Sequence, residues 1–101
     1  MLKWRLTEEA QADMRDILTF TKQQWGIVQS TRYLKEIREK IELLAQNPSL
    51  GVDRSDDLEK GIRSILIGSH AVYYDFNATM LTVRAILHQA MTPNNHLRQR
   101  L

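Results

Sequence analysis

The sequence predicts an α+β fold of order βααβββ, in which a helical hairpin packs on a small, mainly antiparallel sheet. Three observations lead to this prediction: a short alternating segment at the N-terminus, two long segments with helical periodicity joined at a glycine, and three closely spaced β-type segments in the second half. A length of 101 residues leaves no room for a second hydrophobic core, so residues 1–101 are expected to form a single domain.

The N-terminal segment predicts a strand that leads directly into a helix. Leu2, Trp4 and Leu6 alternate with basic residues, which is the pattern of a strand with one buried face. Thr7 follows as a suitable N-cap, because its hydroxyl can accept a hydrogen bond from the first helical turn. Apolar residues then recur at intervals of three and four, so the first helix is expected to continue to about Trp25.

A second amphipathic helix is predicted over residues 28–46. Gly26 separates it from the first helix, and because glycine is favoured just beyond a helix C-terminus, the short break predicts an antiparallel hairpin. Residues 47–51 have the composition of a loop. The apolar stripe of this second helix consists of Leu34, Ile37, Ile41 and Leu44.

Three strands are predicted over residues 62–67, 70–76 and 81–87. The connections between them are short, which favours antiparallel hairpins. Beyond residue 88 the periodicity fades, so about residues 89–101 are expected to form a C-terminal tail or a short helix.

Composition describes an ordinary globular chain that is weakly basic. The net charge is +2, which is less than a dedicated nucleic-acid binder carries, so no sequence-specific contact with nucleic acid is expected. The chain has no cysteine, no apolar stretch long enough to cross a bilayer and no recognisable secretory signal. These features predict a cytoplasmic protein with no membrane association.

Most of the motifs that carry chemistry are absent. There is no glycine-rich nucleotide-binding loop, and the three histidines lack the close spacing with carboxylates that zinc sites show. No catalytic residue, metal ligand or cofactor is therefore predicted.

One set of residues contains the types of side chain that metal-free RNA cleavage uses. Strict alternation along the last strand places Arg84 and His88 on one face, and Arg63 lies on a preceding strand. An imidazole can move a proton and guanidinium groups can bind a phosphate. The alternative is that both arginines extend over the open sheet face while His88 caps a strand end. The opposite face of the last strand is expected to carry Leu81, Val83, Ala85 and Leu87.

Short motifs along nearly the whole chain resemble, in the same order, ParE toxins of the RelE/ParE superfamily. The N-terminal part of the resemblance is the segment from Leu6 to Ile17, and the rest is spread over both helices and all three later strands. The motifs concerned are Trp25-Gly26, Gln29, Tyr33-Leu34, Leu44-Ala45, Asn47-Pro48, Gly51, Gly61-Ile62-Arg63, Gly68-Ser69-His70, Ala85-Ile86-Leu87-His88, Met91 and Leu97.

The resemblance implies the toxin of a type II toxin–antitoxin system. A ParE-type toxin would inhibit DNA gyrase by binding, without being an enzyme, and a ParD-type antitoxin would neutralise it. The alternative within the superfamily is a RelE-like, ribosome-dependent mRNA endonuclease, because one fold serves both branches. RelE-type nucleases generally carry a basic cluster and a tyrosine or histidine near the C-terminus, whereas residues 91–101 contain no tyrosine and only His96 as a substitute. The Trp25-Gly26 and Ile86-Leu87-His88 motifs resemble ParE more closely. A binding module that has lost toxicity is the third possibility.

Two modes of antitoxin docking are expected: a strand added to an exposed sheet edge and a helix laid in a groove beside the hairpin. The candidate antitoxin-binding residues are Trp4, Phe20, Trp25 and Tyr33, although each is also a reasonable core residue.

A surface facing gyrase is expected on the C-terminal half, because the hairpin must cover the sheet and the antitoxin is assigned the groove. A basic surface would suit an acidic patch on an enzyme or the DNA that the enzyme holds. The candidates are Arg63, Arg84, His88, Arg98 and Arg100, with an ordinary solvated surface as the alternative.

Overall fold

A computed structural model describes all residues, 1–101, and contains every predicted element. Two smaller elements were not predicted, a 3-10 turn at Pro48–Leu50 and a two-residue edge strand. The complete order is β1 (Lys3–Leu6), α1 (Glu8–Trp25), α2 (Ile27–Gln46), the 3-10 turn, β2 (Val52–Asp53), β3 (Arg63–Ile67), β4 (His70–Phe76), β5 (Met80–His88) and α3 (Pro93–Leu97).

The five strands form one mixed sheet in the order β1-β5-β4-β3-β2. β1 runs parallel to β5, with Lys3 opposite Met80 and Leu6 opposite Val83, and the other neighbours are antiparallel. The predicted α+β class with a mainly antiparallel sheet is therefore confirmed. No helix is long and apolar enough to cross a membrane.

The helical hairpin begins and reverses where the sequence predicts. The Thr7 hydroxyl accepts a hydrogen bond from the Ala10 N–H at 3.1 Å, which caps the first turn of α1. At the other end, the Gly26 N–H donates to the Lys22 carbonyl. Gly26 has a φ of 86°, a conformation that L residues with a side chain rarely adopt, and α2 begins at the next residue.

The main core lies between the hairpin and one face of the sheet. Leu2, Trp4 and Leu6 pack against it from β1 and are only partly buried. The core itself consists of Ala10, Ile17, Tyr33, Ile37, Ile41, Leu44, Val72, Tyr74, Leu81, Val83 and Ile86.

A smaller cluster covers part of the opposite sheet face, which we call the open face. Leu97 of α3 is 1% exposed and packs in this cluster, so the C-terminal segment is a docked short helix rather than a frayed tail. Leu58, from the long loop before β3, packs against the same cluster. The cluster consists of Ile62, Ala71, Tyr73, Ala85, Leu87 and Leu97.

A β-bulge makes the predicted alternation of β5 wrong. Tyr74 is paired with Val83 while the preceding Tyr73 is paired with Ala85, so Arg84 is an extra residue without a partner of its own. One extra residue shifts every later side chain to the other face of the sheet.

The bulge separates the residues that alternation had placed together. Leu81 and Val83 face the helices, whereas Ala85 and Leu87 lie in the cluster on the open face. His88 is paired with His70 beyond the bulge and lies on the helix side. Arg84 and His88 therefore do not share a face.

Candidate functional site

A groove of about 320 Å³ lies between α1 and the C-terminal half of β5. β1 pairs with β5 only at residues 80–83, so residues 84–88 have no strand on this side. The groove is lined by Asp13, Asp16, Ile17 and Phe20 from α1, by Ile86, Leu87 and His88 from β5, and by His70 and Met91.

Side chains satisfy part of the uncovered backbone of β5. Asp13 Oδ2 accepts a hydrogen bond from the Ile86 N–H at 2.9 Å. The Arg84 carbonyl accepts one from the Thr7 hydroxyl at 3.4 Å and one from Arg100 Nη1 at 3.2 Å. The edge is thus capped by groups that an added strand would have to displace or pass.

The same carboxylate holds the C-terminal tail. Arg100 Nη1 and Nη2 lie 2.7 and 3.0 Å from the two Asp13 oxygens, and the side chains are only 19% and 12% exposed. This hydrogen bonding to Asp13 raises the pKa of the Arg100 guanidinium above its usual value. Asp13 therefore joins α1, the β5 edge and the tail in one network.

Two histidines line the groove. The rings of His70 and His88 are 5.4 Å apart and nearly perpendicular. His70 Nδ1 lies 2.6 Å from the Tyr33 hydroxyl, which also contacts the Ile67 carbonyl and the Ser69 N–H. Burial, and secondarily the neighbouring His88, lowers the pKa of His70 below its usual value, so the ring is neutral at pH 7.

The antitoxin candidates occupy three different places. Phe20 is 59% exposed and lines the groove. Trp25 is 45% exposed and packs edge-on against Tyr33. Tyr33 is buried and hydrogen-bonded to His70. Trp4 lies on β1 among the residues that flank the main core, outside the groove.

Most of the gyrase-facing candidates already have intramolecular partners. Arg63 donates to the Gly51 carbonyl at 2.7 Å, beside β2 at the edge of the sheet opposite β1. Arg84 forms an ion pair with Asp75 at 2.9 Å. The Nδ1 atom of His88 accepts a hydrogen bond from the Ala90 N–H at 3.0 Å.

The structure therefore brings Arg84 and Arg100 together and leaves Arg63 apart. Arg100 donates to the Arg84 carbonyl as well as to Asp13, whereas Arg98 is exposed and forms no ion pair. Backbone carbonyls and carboxylates thus bind three of the four candidate arginines, and the role of all five basic residues in facing gyrase stays a prediction. The arginines and His88 also do not converge as a site for RNA cleavage would require.

Sequence reasoning missed a basic residue on the open face. Arg5 Nε donates to the Thr82 hydroxyl at 3.3 Å, and Thr82 is the strand partner of Asp75, which binds Arg84. Arg5 and Arg84 consequently flank the same cross-strand pair. The alternation of β1 could have indicated this position, because it places Arg5 on the sheet face opposite to that of Trp4.

The groove residues Asp13, Asp16 and His70 were also missed. α1 presents Asp13, Asp16 and Phe20 on one side of the helix because they are spaced by three and four residues. That spacing is visible in the sequence. The proximity of these side chains to residues 84–88 of β5, however, depends on where β1 ends. No cluster of three or more histidine or carboxylate side chains is arranged to hold a metal ion.

Comparisons with known proteins agree with this architecture. Residues 4–93 match the family model described as the ParE toxin of the type II toxin–antitoxin system parDE. The chain is 36% identical over 97 residues to Toxin ParE1 of Caulobacter vibrioides, covering 96% of this chain and 99% of that one. It is 33% identical to Toxin ParE of Escherichia coli over 102 residues, with coverage of 100% and 98%.

A solved structure shows the same fold. It is described as a chromosomal ParDE toxin–antitoxin system from P. aeruginosa and superposes with a TM-score of 0.75 at 18% identity. The match covers 87% of this chain and 96% of that chain. This protein therefore has the α+β fold of a chain from that solved structure.

The chain belongs to the ParE family of toxins of type II toxin–antitoxin systems. This confirms the resemblance read from the ordered motifs.

Proposed function

We propose that this ParE-type toxin acts as a single domain in the cytoplasm, arrests growth by binding DNA gyrase, and is silenced by a ParD-type antitoxin seated in the α1–β5 groove. The observation that carries the proposal is the presence of two distinct surfaces on one small toxin. One is an apolar groove beside the β5 edge, and the other is the open face, where Arg5 and Arg84 flank one cross-strand pair.

The groove suits an antitoxin segment for two physical reasons. Residues 84–88 of β5 have no strand on the β1 side, so an extended segment could hydrogen-bond there by displacing the side chains of Asp13, Thr7 and Arg100 that cap this edge. Phe20 and Met91, which are 59% and 44% exposed, offer apolar surface that a partner would remove from water. Complete burial of one such side chain contributes about 1.5–3 kcal/mol. The ParDE description of the structural neighbour supports a ParD-type partner.

The open face suits the target. Arg5 and Arg84 flank one cross-strand pair there, and Arg98 extends from the helix whose Leu97 packs on the same face. Positive charge on that face would speed encounter with an acidic surface or with enzyme-bound DNA. Because this face and the groove lie on different sides of the sheet, one surface can serve the antitoxin and the other gyrase.

A binding mechanism also agrees with the positions of the acid–base groups. His88 lies on the helix side beyond the bulge, whereas Arg84 is paired with Asp75. Arg63 is hydrogen-bonded to the Gly51 carbonyl, just before β2. General acid–base catalysis requires such groups within hydrogen-bond reach of one reacting atom, and these three do not surround a common point.

The decisive test compares the two targets with the purified protein. We expect induction to arrest growth, purified toxin to inhibit supercoiling by gyrase, and ribosome-bound mRNA to remain intact. Ribosome-dependent cleavage of mRNA without an effect on gyrase would instead establish the RelE-like activity. Growth that continues normally after induction of folded protein would indicate a binding module without toxicity.

A further inference from the structure

The hydrogen bonds around Tyr33 fix the tautomer of His70. The Tyr33 oxygen lies 3.0 Å from the Ile67 carbonyl oxygen and 3.3 Å from the Ser69 nitrogen. Two oxygens at 3.0 Å need a hydrogen between them, so the single phenolic hydrogen points to Ile67. The His70 Nδ1, at 2.6 Å, must then be the donor, which leaves Nε2 as the acceptor of the neutral ring.

His88 has the opposite tautomer. Its Nδ1 accepts the Ala90 N–H at 3.0 Å, so the hydrogen of the neutral ring is on Nε2. Every buried side-chain nitrogen has a hydrogen-bond partner, whereas Nε2 of His70 has none. Nε2 is therefore not buried, and it reaches solvent at the groove that His70 lines. The two histidines that line the groove thus offer one acceptor and one donor nitrogen.

The groove has one carboxylate without an ion pair. Asp13 is neutralised by Arg100, whereas Asp16 is exposed and forms no ion pair. Apolar side chains also line the groove, among them Ile17, Phe20 and Ile86. The groove is therefore complementary to a segment with a bulky apolar side chain next to a cationic one.

We propose that the groove recognises a basic and apolar antitoxin segment, whose peptide or carboxamide group spans the two neutral imidazoles, and that acid releases this segment. The proposal rests on the proposed docking of the antitoxin in this groove. The occupant is an antitoxin segment because positive charge beside an apolar residue complements Asp16 and the walls.

Acid sensitivity follows from the groups that face the histidines. On α1 the carboxylates of Asp13 and Asp16 face the groove, and α2 contributes the uncharged Tyr33. Arg100 compensates Asp13, and the bound cation would compensate Asp16, so no free anion remains to stabilise an imidazolium. A seated segment would also exclude water, which disfavours charge further. The complex therefore binds the neutral pair.

The experiment uses the full chain and a defined probe. A twelve-residue peptide is selected from a random display library for binding to the folded toxin at pH 7.5 and is labelled for fluorescence anisotropy. We expect enriched peptides to place a bulky apolar residue beside Lys or Arg and to lose affinity for the Phe20→Ala variant. Kd should be higher at pH 5.5 than at pH 7.5, because the complex binds the neutral pair.

Two variants with matched controls separate the parts of the proposal. His88→Asn keeps an oxygen that can accept the Ala90 N–H but removes the imidazole from the groove, so it should reduce the pH dependence, while His96→Asn should not. Asp16→Asn should weaken the peptide about threefold at low salt, while the exposed Asp56→Asn should leave Kd unchanged. Nitrogen NMR of the free toxin at pH 7.5 should show Nδ1–H on His70 and Nε2–H on His88.

Several outcomes would overturn the proposal. These are groove-binding peptides that are acidic, Kd values unchanged at pH 5.5, the reverse histidine tautomers, or a self-association that Phe20→Ala abolishes, which would make a second copy the occupant. Absence of any peptide that responds to Phe20→Ala would do the same. Gyrase inhibition involves none of these measurements, so its failure beside acid-sensitive peptide binding would reject only the proposed target.

Discussion

Arg100 in the C-terminal tail forms two hydrogen bonds with the carboxylate of Asp13 in α1, across the uncovered edge of β5. The Asp13 carboxylate also accepts the Ile86 N–H, so one side chain connects three segments of the chain. Charge-assisted pairs of this geometry are among the stronger hydrogen bonds in proteins. The last residues of the chain are therefore part of the folded structure.

Replacement of Arg100 by alanine should destabilise the protein. The pair is mostly buried, and the variant would leave the Asp13 carboxylate without its cation, so we expect a loss of about 1–3 kcal/mol in the free energy of unfolding. Urea denaturation at pH 7.5 measures the loss. Arg98→Ala is the matched control, because Arg98 is exposed and unpaired, and it should change stability by less than about 0.5 kcal/mol. Equal effects of the two substitutions would show that the ion pair contributes nothing.

Gly68→Ala should be clearly more destabilising than Gly61→Ala. Both glycines have positive φ, 56° and 90°, so both substitutions strain the backbone by about 1 kcal/mol. A Cβ at Gly68 would also lie 2.6 Å from the Tyr33 ring, whereas a Cβ at Gly61 meets nothing within 4 Å. The difference between their melting temperatures isolates the contact with Tyr33. Similar melting temperatures would mean that the Tyr33 ring moves aside freely.

Stability should fall as the pH is lowered below 6.5. The pKa of His70 is lowered in the folded protein by burial and by His88, so between the folded and unfolded pKa values the unfolded chain binds more protons. The stabilising effect is thus fully present above the unfolded value, about 6.5, and is lost as the pH falls toward the folded value. Urea denaturation at pH 7.5, 6.5 and 5.5 measures this slope.

His70→Asn should flatten the slope, although it lowers stability at pH 7.5 because a buried ring is lost. His96→Asn, which changes an exposed histidine of α3, should keep the slope of the parent protein. A parent protein equally stable at pH 7.5 and 5.5 would contradict the neutral, buried state of His70.

Elements with a strong local signal could be predicted from the sequence. The Thr7 cap, the break at Gly26 and the period of the helices depend on neighbouring residues, and the structure reproduces them. β2 could not be predicted, because two exposed residues carry no periodicity. The bulge at Arg84 depends on how two distant strands are paired, so alternation within β5 alone gave the wrong face for His88.

The site was less predictable than the fold for the same reason. The groove exists because β1 ends at Leu6 while β5 continues to His88, and that difference becomes visible only after the strands are paired. Phe20 was the one antitoxin candidate that the structure places in the groove. The contacts of Arg63 and Arg100 could not be predicted, because their partners, the Gly51 carbonyl and Asp13, are distant along the chain.

The antitoxin groove can be tested with an exposed residue. Phe20→Glu puts a charge into the apolar groove, so it should reduce neutralisation by the antitoxin while growth arrest persists. Val52→Glu is the matched control, because Val52 is 67% exposed on β2 at the opposite edge of the sheet. Growth after co-expression with a ParD-type antitoxin is the measurement. Equal rescue of both variants would place the antitoxin elsewhere.

The open face can be tested by reversal of single charges. Arg98→Glu should raise the concentration needed to inhibit gyrase by about threefold to tenfold at low salt, because a charge at the edge of an interface mainly changes the association rate. Arg5→Glu should act in the same direction, since Arg5 lies beside the Asp75–Arg84 pair on that face. Supercoiling assays at two salt concentrations measure both effects, which should shrink at high salt.

Single substitutions are needed here because removal of the tail would not isolate the surface. A deletion of residues 95–101 would also remove Leu97, which is 1% exposed, and Arg100, which is bound to Asp13, so it would damage the fold. The exposed Lys35 of α2 supplies the control, and Lys35→Glu should leave inhibition unchanged. If Arg98→Glu and Arg5→Glu inhibit gyrase as well as Lys35→Glu does at unchanged stability, the open face does not contact the target.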